Sequence, residues 1–396
     1  MTSTLAIDGG SPVRADMLPY GRQTIDDKDI EAVTHVLRSD WLTSGPEVAA
    51  FEEEFAAEVG AKYAVAVSSG TAALHAAAYA AELCAGDSAI VPPMTFAASA
   101  NCIRYQDAEV IFADVQPGCL NLDPSAVRRA LRPHTKAIVT VAYAGQPSDL
   151  DELLDIAHEN GLILIDDAAH ALGAVYRGRR EGSIADLTTF SLHPVKHVTT
   201  GEGGVVTTND AALYKRLRKF RNHGISSDHR DREAAGSWFY EMVDLGYNYR
   251  INDFQCALGR SQLKKLAIGI ERRQEIAMRY AAAFADMPEI DLPEISADRR
   301  SAWHLYPIQL KLERLWTDRA GIFRALRTEN IGVNVHYIPV PWHPYYRNMG
   351  FKKGNWPIAE SAYERLLSLP IFPAMSDSDV LDVINAVAKV TRHFRQ

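Results

Sequence analysis

The sequence predicts an α/β protein: a mostly parallel central sheet with helices on both faces, followed by a smaller α+β domain at the C-terminal end. Three observations carry that prediction. Short apolar segments alternate with helical ones from Tyr63 to Ile165. Those apolar segments lack the polar alternation of a half-exposed strand, as strands covered on both faces do. From Trp303 onward the alternation gives way to a mixed pattern, and 396 residues are enough for two domains.

In order, an N-terminal arm with Pro12 and Pro19 leads to a helix near Asp26–Leu37. A turn at Trp41–Pro46 follows, and Pro46 suits the first position of the next helix, where its missing N–H costs nothing. Val48, Phe51, Phe55 and Val59 recur there at helical spacing. Strands are then predicted at Tyr63–Val67, Ala89–Val91, Val110–Phe112, Ala137–Ala142 and Leu162–Ile165. The intervening helices are predicted at Gly70–Ala81, Ala97–Tyr105, Pro124–Leu131 and Leu150–Asn160. A strand ending at Phe190 and Ser191, a second at Val205–Thr208 and a helix at Ala211–Arg221 complete the pattern. The polar stretch 222–237 reads as a mobile loop. One long helix is expected from Phe254 to about Phe284, and 288–300 reads as a connection. The C-terminal part is expected to hold a strand near Tyr306–Leu310, a helix at Asp318–Glu329, a strand at Val333–Tyr337, a Pro/aromatic loop at 338–351 and a final helix at Asp377–Phe394. The domain boundary is placed inside the long helix, giving domains at 1–265 and 266–396.

Net charge is -8, from 42 basic and 50 acidic residues in no long block, so a nucleic-acid partner is not indicated. Four scattered cysteines without a C-x-x-C pair argue against a disulfide framework or a thiolate zinc site, and no metal is expected. The N-terminus lacks the basic-then-apolar pattern of a signal peptide, and no apolar run has membrane-spanning length. A cytoplasmic enzyme without a membrane partner is the expectation.

In open parallel sheets, sites lie beyond the carboxyl ends of the strands. Three such ends carry polar groups: Ser68-Ser-Gly-Thr, Asp166-Asp-Ala-Ala-His, and Ser191 with Lys196. Alone, Lys196 reads first as a solvated loop residue. If buried, it becomes a nucleophile with a lowered pKa. The Ser69-Gly70 turn can hold an anion on helix N–H groups, or can be an ordinary N-cap. Asp166 and Asp167 each offer a carboxylate for a cationic ring nitrogen, and spacing does not separate them. Phe96 can lie flat on an aromatic ring or pack in the core, and His170 can face the same ring. An anion site, a ring-pairing carboxylate, a stacking aromatic and a buried lysine together match what pyridoxal phosphate (PLP) needs.

The motifs Ser69-Gly-Thr-Ala-Ala-Leu, Asp167-Ala-Ala-His, Phe190-Ser-Leu-His-Pro-Val-Lys, Gly201-Glu-Gly-Gly and Gly246-Tyr-Asn-Tyr-Arg-Ile-Asn-Asp resemble the DegT/DnrJ/EryC/StrS sugar-nucleotide aminotransferases, within the fold-type-I PLP enzymes. The resemblance covers nearly the whole chain. It implies that Lys196 is the Schiff-base lysine, that Asp167 pairs with the pyridine nitrogen, that Phe96 covers the ring face and that His170 lies near the ring oxygen. It implies further that Gly70, Thr71 and Ser191 hold the phosphate. Asn248 would reach the cofactor phosphate of a neighbouring subunit, hence a homodimer with shared sites.

Dehydratases of the family carry histidine where Lys196 stands, so the resemblance favours transamination with pyridoxamine phosphate as the half-reaction form. Phe190-Ser-Leu-His-Pro-Val-Lys, Asp244-Leu-Gly-Tyr-Asn-Tyr-Arg, Val335-His-Tyr-Ile-Pro-Val and Pro344-Tyr-Tyr resemble most the 4-aminotransferases of the pseudaminic acid pathway. These aminate a UDP-linked 4-keto-6-deoxy-N-acetyl sugar with L-glutamate as donor. His336, Tyr337 and His343 are then candidate sugar contacts, or part of a loop that packs on the large domain. The alternatives are a dTDP- or GDP-linked keto sugar, amination at C3, a PLP-dependent sugar dehydratase, or a catalytically silent PLP-domain regulator.

Overall fold

The structure is a computed structural model describing residues 4–227 and 229–396. Among the described residues, thirteen strands are numbered in chain order. They are β1 (Tyr63–Val67), β2 (Ser88–Val91), β3 (Glu109–Phe112), β4 (Thr135–Val141), β5 (Ile163–Asp167), β6 (Val175–Tyr176), β7 (Arg179–Arg180), β8 (Leu187–Ser191), β9 (Gly204–Thr208), β10 (Ile290–Asp291), β11 (Arg299–Arg300), β12 (Tyr306–Leu310) and β13 (Leu366–Leu369). Seven of them form the central sheet in the order β1-β9-β8-β5-β4-β2-β3. The ladders linking β8, β5, β4, β2 and β3 are parallel, and β9 runs antiparallel to both its neighbours.

Successive side chains of a strand point to opposite faces, and here both faces are buried. Ala137, Val139 and Ile165 pack with the alanine-rich helix Gly70–Ala80, while Ile138 and Leu164 pack on the other face with Leu153 and Ile156. This is why these strands read as continuous apolar runs. A second core gathers Ile276, Tyr280, Ile308, Leu326, Leu367 and Val383 around the antiparallel sheet β10-β12-β13. Leu5 and Leu18 of the N-terminal arm belong to that second core, and the backbone N–H groups of Ala6 and Val13 donate to the Glu329 carboxylate. The arm therefore packs with the C-terminal part rather than with the residues that follow it.

Four expectations are corrected. The long helix is two helices, Asp253–Leu263 and Leu266–Phe284. At the break, Lys265 binds Asp26 and Asp29 of the first long helix, Asp27–Leu37 and its cap, and Gln262 donates to Asp29 at 2.7 Å. The tie turns the chain without disturbing its apolar spacing. The segment Val333–Tyr337 is not a strand: Asn334 makes a single bridge with Ser368 and the chain then leaves the sheet. The place beside β12 is taken by β13, which follows directly on the helix Pro357–Arg365. The 338–351 loop carries the helix Pro344–Asn348, and the stretch 222–237 carries the helix His229–Ala234, with residue 228 outside the described residues. Among the described residues, no helix is long and apolar enough to cross a membrane.

Candidate active site

The register of the central sheet brings one set of strand ends together. Val67 and Ser191 both lie opposite Gly204, while Val141 and Thr189 flank Asp167. Beyond these ends lies a cavity of about 590 Å3. Gly70, Thr71, Phe96, Asp167, His170, Ser191, Lys196, His336 and Tyr337 all line it. Asn248 and His343 do not. Asn248 lies exposed in the segment after the apolar run Trp238–Leu245, and His343 caps the helix Pro344–Asn348. Of the two readings open for His343, a sugar contact or part of a packing loop, the structure places it at the start of the helix Pro344–Asn348 and outside the cavity lining.

Lys196 sits in the turn between β8 and β9, half-buried, with its accessible part opening into the cavity. Burial, and more weakly the nearby Arg273, pull its pKa down to about 8 against the opposing pull of Asp167. A far larger fraction of the amine is therefore neutral near physiological pH than for an ordinary lysine, which a nucleophile or base requires. Its Nζ lies 3.3 Å from His304 Nε2.

The two adjacent carboxylates separate cleanly. Asp167 faces the cavity, accepts a 2.6 Å hydrogen bond from the Ser99 hydroxyl and accepts another from the Ala169 N–H at 3.2 Å. Burial raises its pKa, and these two donors and Lys196 oppose the rise. Asp166 points to the opposite side of β5 and is fully buried beside Glu181. Burial and then the neighbouring Glu181 raise its pKa well above the carboxylate range. Asp166 thus lies in the core on the far side of the strand, and Asp167 is the carboxylate presented to a ligand.

The helix Gly70–Ala80 opens at the cavity. Ser69 caps it, its hydroxyl accepting from the Ala72 N–H at 3.0 Å. The N–H groups of Gly70 and Thr71, first in the helix, have no intrahelical acceptor by construction and sit at its positive end. A Cβ at residue 70 would lie 2.9 Å from Ser191 Cβ and 3.0 Å from its hydroxyl, so glycine lets the helix start and Ser191 share one small cradle. An anion held there, a ring nitrogen at Asp167 and an aldehyde at Lys196 match the three functional ends of PLP. Phe96, 60% exposed on the cavity wall, offers an apolar face between them. The residues present fit the cofactor.

His170 is buried, and its Nε2 lies 3.0 Å from the Tyr337 hydroxyl. Burial first, then the charge of Lys196, hold its pKa well below the usual imidazole value, so it is a neutral ring. His336 is anchored by Ser368, 2.8 Å from Nδ1. Tyr20, Ser99, His193, Glu202, His304 and Asn334 were not singled out from the sequence, yet all but Ser99 line the cavity and Ser99 holds Asp167. The position of Ser99 was the readable signal, one helical turn after Phe96 on the helix leaving β2.

Comparison with known proteins accords with this geometry. Residues 23–388 match the DegT/DnrJ/EryC1/StrS aminotransferase family. The spore coat polysaccharide biosynthesis protein SpsC of Bacillus subtilis is 44% identical over 382 residues, covering 96% of this chain and 98% of that protein. Among solved structures, Helicobacter pylori PseC, an aminotransferase involved in the biosynthesis of pseudoaminic acid, superposes with TM-score 0.89 at 31% identity, covering 96% of this chain and 100% of that one. Spr1654 of Streptococcus pneumoniae, in its PMP-form, gives TM-score 0.90 at 31% identity over 95% and 99% of the two chains, and is also known in a PLP-form.

Proposed function

The chain belongs to the DegT/DnrJ/EryC1/StrS family and is a PLP-dependent sugar aminotransferase, and from that premise we propose that it moves the amino group of L-glutamate to C4 of a UDP-linked 4-keto-6-deoxy-N-acetylhexosamine, in the biosynthesis of pseudaminic acid or a related surface glycan. The observation that carries the reading is the Lys196 amine, with a pKa near 8, in a cavity that also presents Asp167 and the Gly70 helix start. The named pathway of the PseC neighbour supports the sugar, and the polysaccharide role in SpsC's name supports the wider class.

Bound in that cavity, PLP supplies the electron sink through which an amino group is taken from one substrate and given to another. Lys196 would attach the cofactor and, as the free amine, would carry the proton to and from the reacting carbon. Asp167, fixed by Ser99, would hold the ring nitrogen protonated. Gly70, Thr71 and Ser191 would bind the phosphate, Phe96 would cover one ring face, and neutral His170 would sit by the ring oxygen. His336 and Tyr337 touch the sugar. Asn248 reaches into the site of a second copy, so the enzyme works as a homodimer. The exposed run that holds Trp238 (84% exposed), Met242 and Leu245 supports this, because a second copy would cover it. On this reading residues 1–265 form the cofactor domain and 266–396 the smaller domain, and the enzyme acts in the cytoplasm.

The test is product analysis with 15N-labelled L-glutamate and UDP-, dTDP- and GDP-linked 4-keto sugars. A 15N-amino sugar formed from the UDP compound with kcat/KM at least about tenfold above the others is expected. Preference for another nucleotide, or a dehydrated product formed without any amino donor, would contradict the assignment.

A further inference from the structure

The contact between Lys196 and His304 has no role in the reading above, and the surrounding chain is built to hold it. His304 lies on the segment 301–304, which leads into β12, while Lys196 belongs to the turn after β8. Two adjacent residues of that turn reach the same segment: Lys196 Nζ meets His304 Nε2 at 3.3 Å, and His197 Nε2 donates to the Ala302 carbonyl at 3.0 Å.

The segment is pinned from two further sides. Ala302 and Leu305 N–H groups donate to the carbonyls of Gly145 and Ala144. Ala144, Gly145 and Trp303 all hold positive φ, and a Cβ on Gly145 would lie 2.7–2.9 Å from the backbone nitrogens of Trp303 and His304 and the His170 carbonyl. Left-handed backbone at two non-glycine residues is costly and persists only where the surroundings impose it. From the other side, the buried Arg273 donates to the carbonyls of Trp303, His304 and Ile371, and Gln274 accepts from the Trp303 indole.

We propose that His304 is a positioning residue for Lys196: its neutral imidazole accepts one N–H of the free amine and leaves the amine's lone pair directed at the cavity. Every charged or titratable group around the ring favours the neutral form. Lys196 and His197 face it from the turn after β8, His170 from the end of β5 with ring centroids 4.4 Å apart, and Arg273 from the helix Leu266–Phe284. With Nε2 accepting, the ring proton sits on Nδ1, which is buried without a partner, so Lys196 is the side chain that the ring meets through a hydrogen bond. The amine is thereby held ready both when it captures the cofactor and each time a substrate displaces it.

The inference rests on the assignment of Lys196 as the cofactor lysine, and the test separates the two. Apoprotein is mixed with PLP, covalent attachment is trapped with borohydride and followed by mass spectrometry, and affinity for pyridoxamine phosphate, which cannot attach, is measured alongside. His304→Ala should slow attachment roughly ten- to hundredfold through loss of aim while leaving pyridoxamine phosphate affinity within about twofold. His304→Gln, whose amide oxygen can accept the same N–H, should recover attachment to within about threefold of wild type. Attachment at the wild-type rate in His304→Ala would overturn the inference alone. So would a parallel loss of pyridoxamine phosphate affinity, which marks a merely structural residue. Failure of the wild-type chain to attach PLP at Lys196 would overturn both assignments.

Discussion

Lys196→Ala abolishes turnover, with an expected loss of at least about ten-thousandfold in kcat. Among the described residues lining the cavity Lys196 is the sole amine, so no neighbouring group inherits either the attachment of the cofactor or the proton transfer. The fold should survive, because the substitution removes an ammonium that burial already disfavours. Circular dichroism should match wild type, and pyridoxamine phosphate should still bind through the Gly70 cradle and Asp167. Multiple-turnover assays with both substrates read the effect. Activity within about tenfold of wild type would show that the lysine is not the reacting group.

Asp167→Asn has the second-largest expected effect, a loss of about a hundred- to a thousandfold, the range found when one preorganised electrostatic partner is removed from a transition state. The amide keeps the shape and the Ser99 contact but has no charge with which to hold a ring nitrogen protonated. Asp166→Asn is the control one residue away, and its activity should stay within about threefold of wild type, since it places an isosteric neutral group at a position that does not line the cavity. Stability should move in the other direction. Burial raises the pKa of Asp166, so ionisation of the unfolded chain costs the folded state stability as pH rises past the ordinary carboxylate range. Asp166→Asn should therefore raise Tm more at pH 8 than at roughly pH 4. Equal activity losses at the two positions would show that strand alternation does not govern which carboxylate serves the site.

The contrast between these two residues shows where the sequence is legible. Strands buried on both faces must be apolar throughout, so β1 to β5 are visible as runs, and helix starts such as Pro46 carry their own chemical markers. The two carboxylates were indistinguishable because they end the same run. Only the pairing of β5 with β4 and β8 fixes which one faces the cavity. The break at Lys264–Lys265 was invisible because its cause lies on another helix, in Asp26 and Asp29, while the local apolar spacing continues. β13 was hidden because Leu366–Leu369 follows a helix without a break, and its absence from the reading left Val333–Tyr337 to be taken for the missing strand. Lys196, Asp167 and Gly70 were legible as candidates because they sit at strand ends with recognisable neighbours, and it was the family motif, not spacing, that favoured Asp167 over Asp166. His304 was not, because one histidine ahead of an apolar strand carries no local signal until the backbone of 143–145 presses it against the lysine.

The most direct measurement of the central claim is the visible absorbance of the purified protein loaded with PLP, recorded before and after L-glutamate and again after the UDP-linked 4-keto-6-deoxy-N-acetyl sugar. A cofactor band that glutamate bleaches and the keto sugar restores is expected, each half-reaction proceeding without the other substrate. A band that glutamate leaves unchanged, or a keto sugar consumed with no amino donor present, would contradict it.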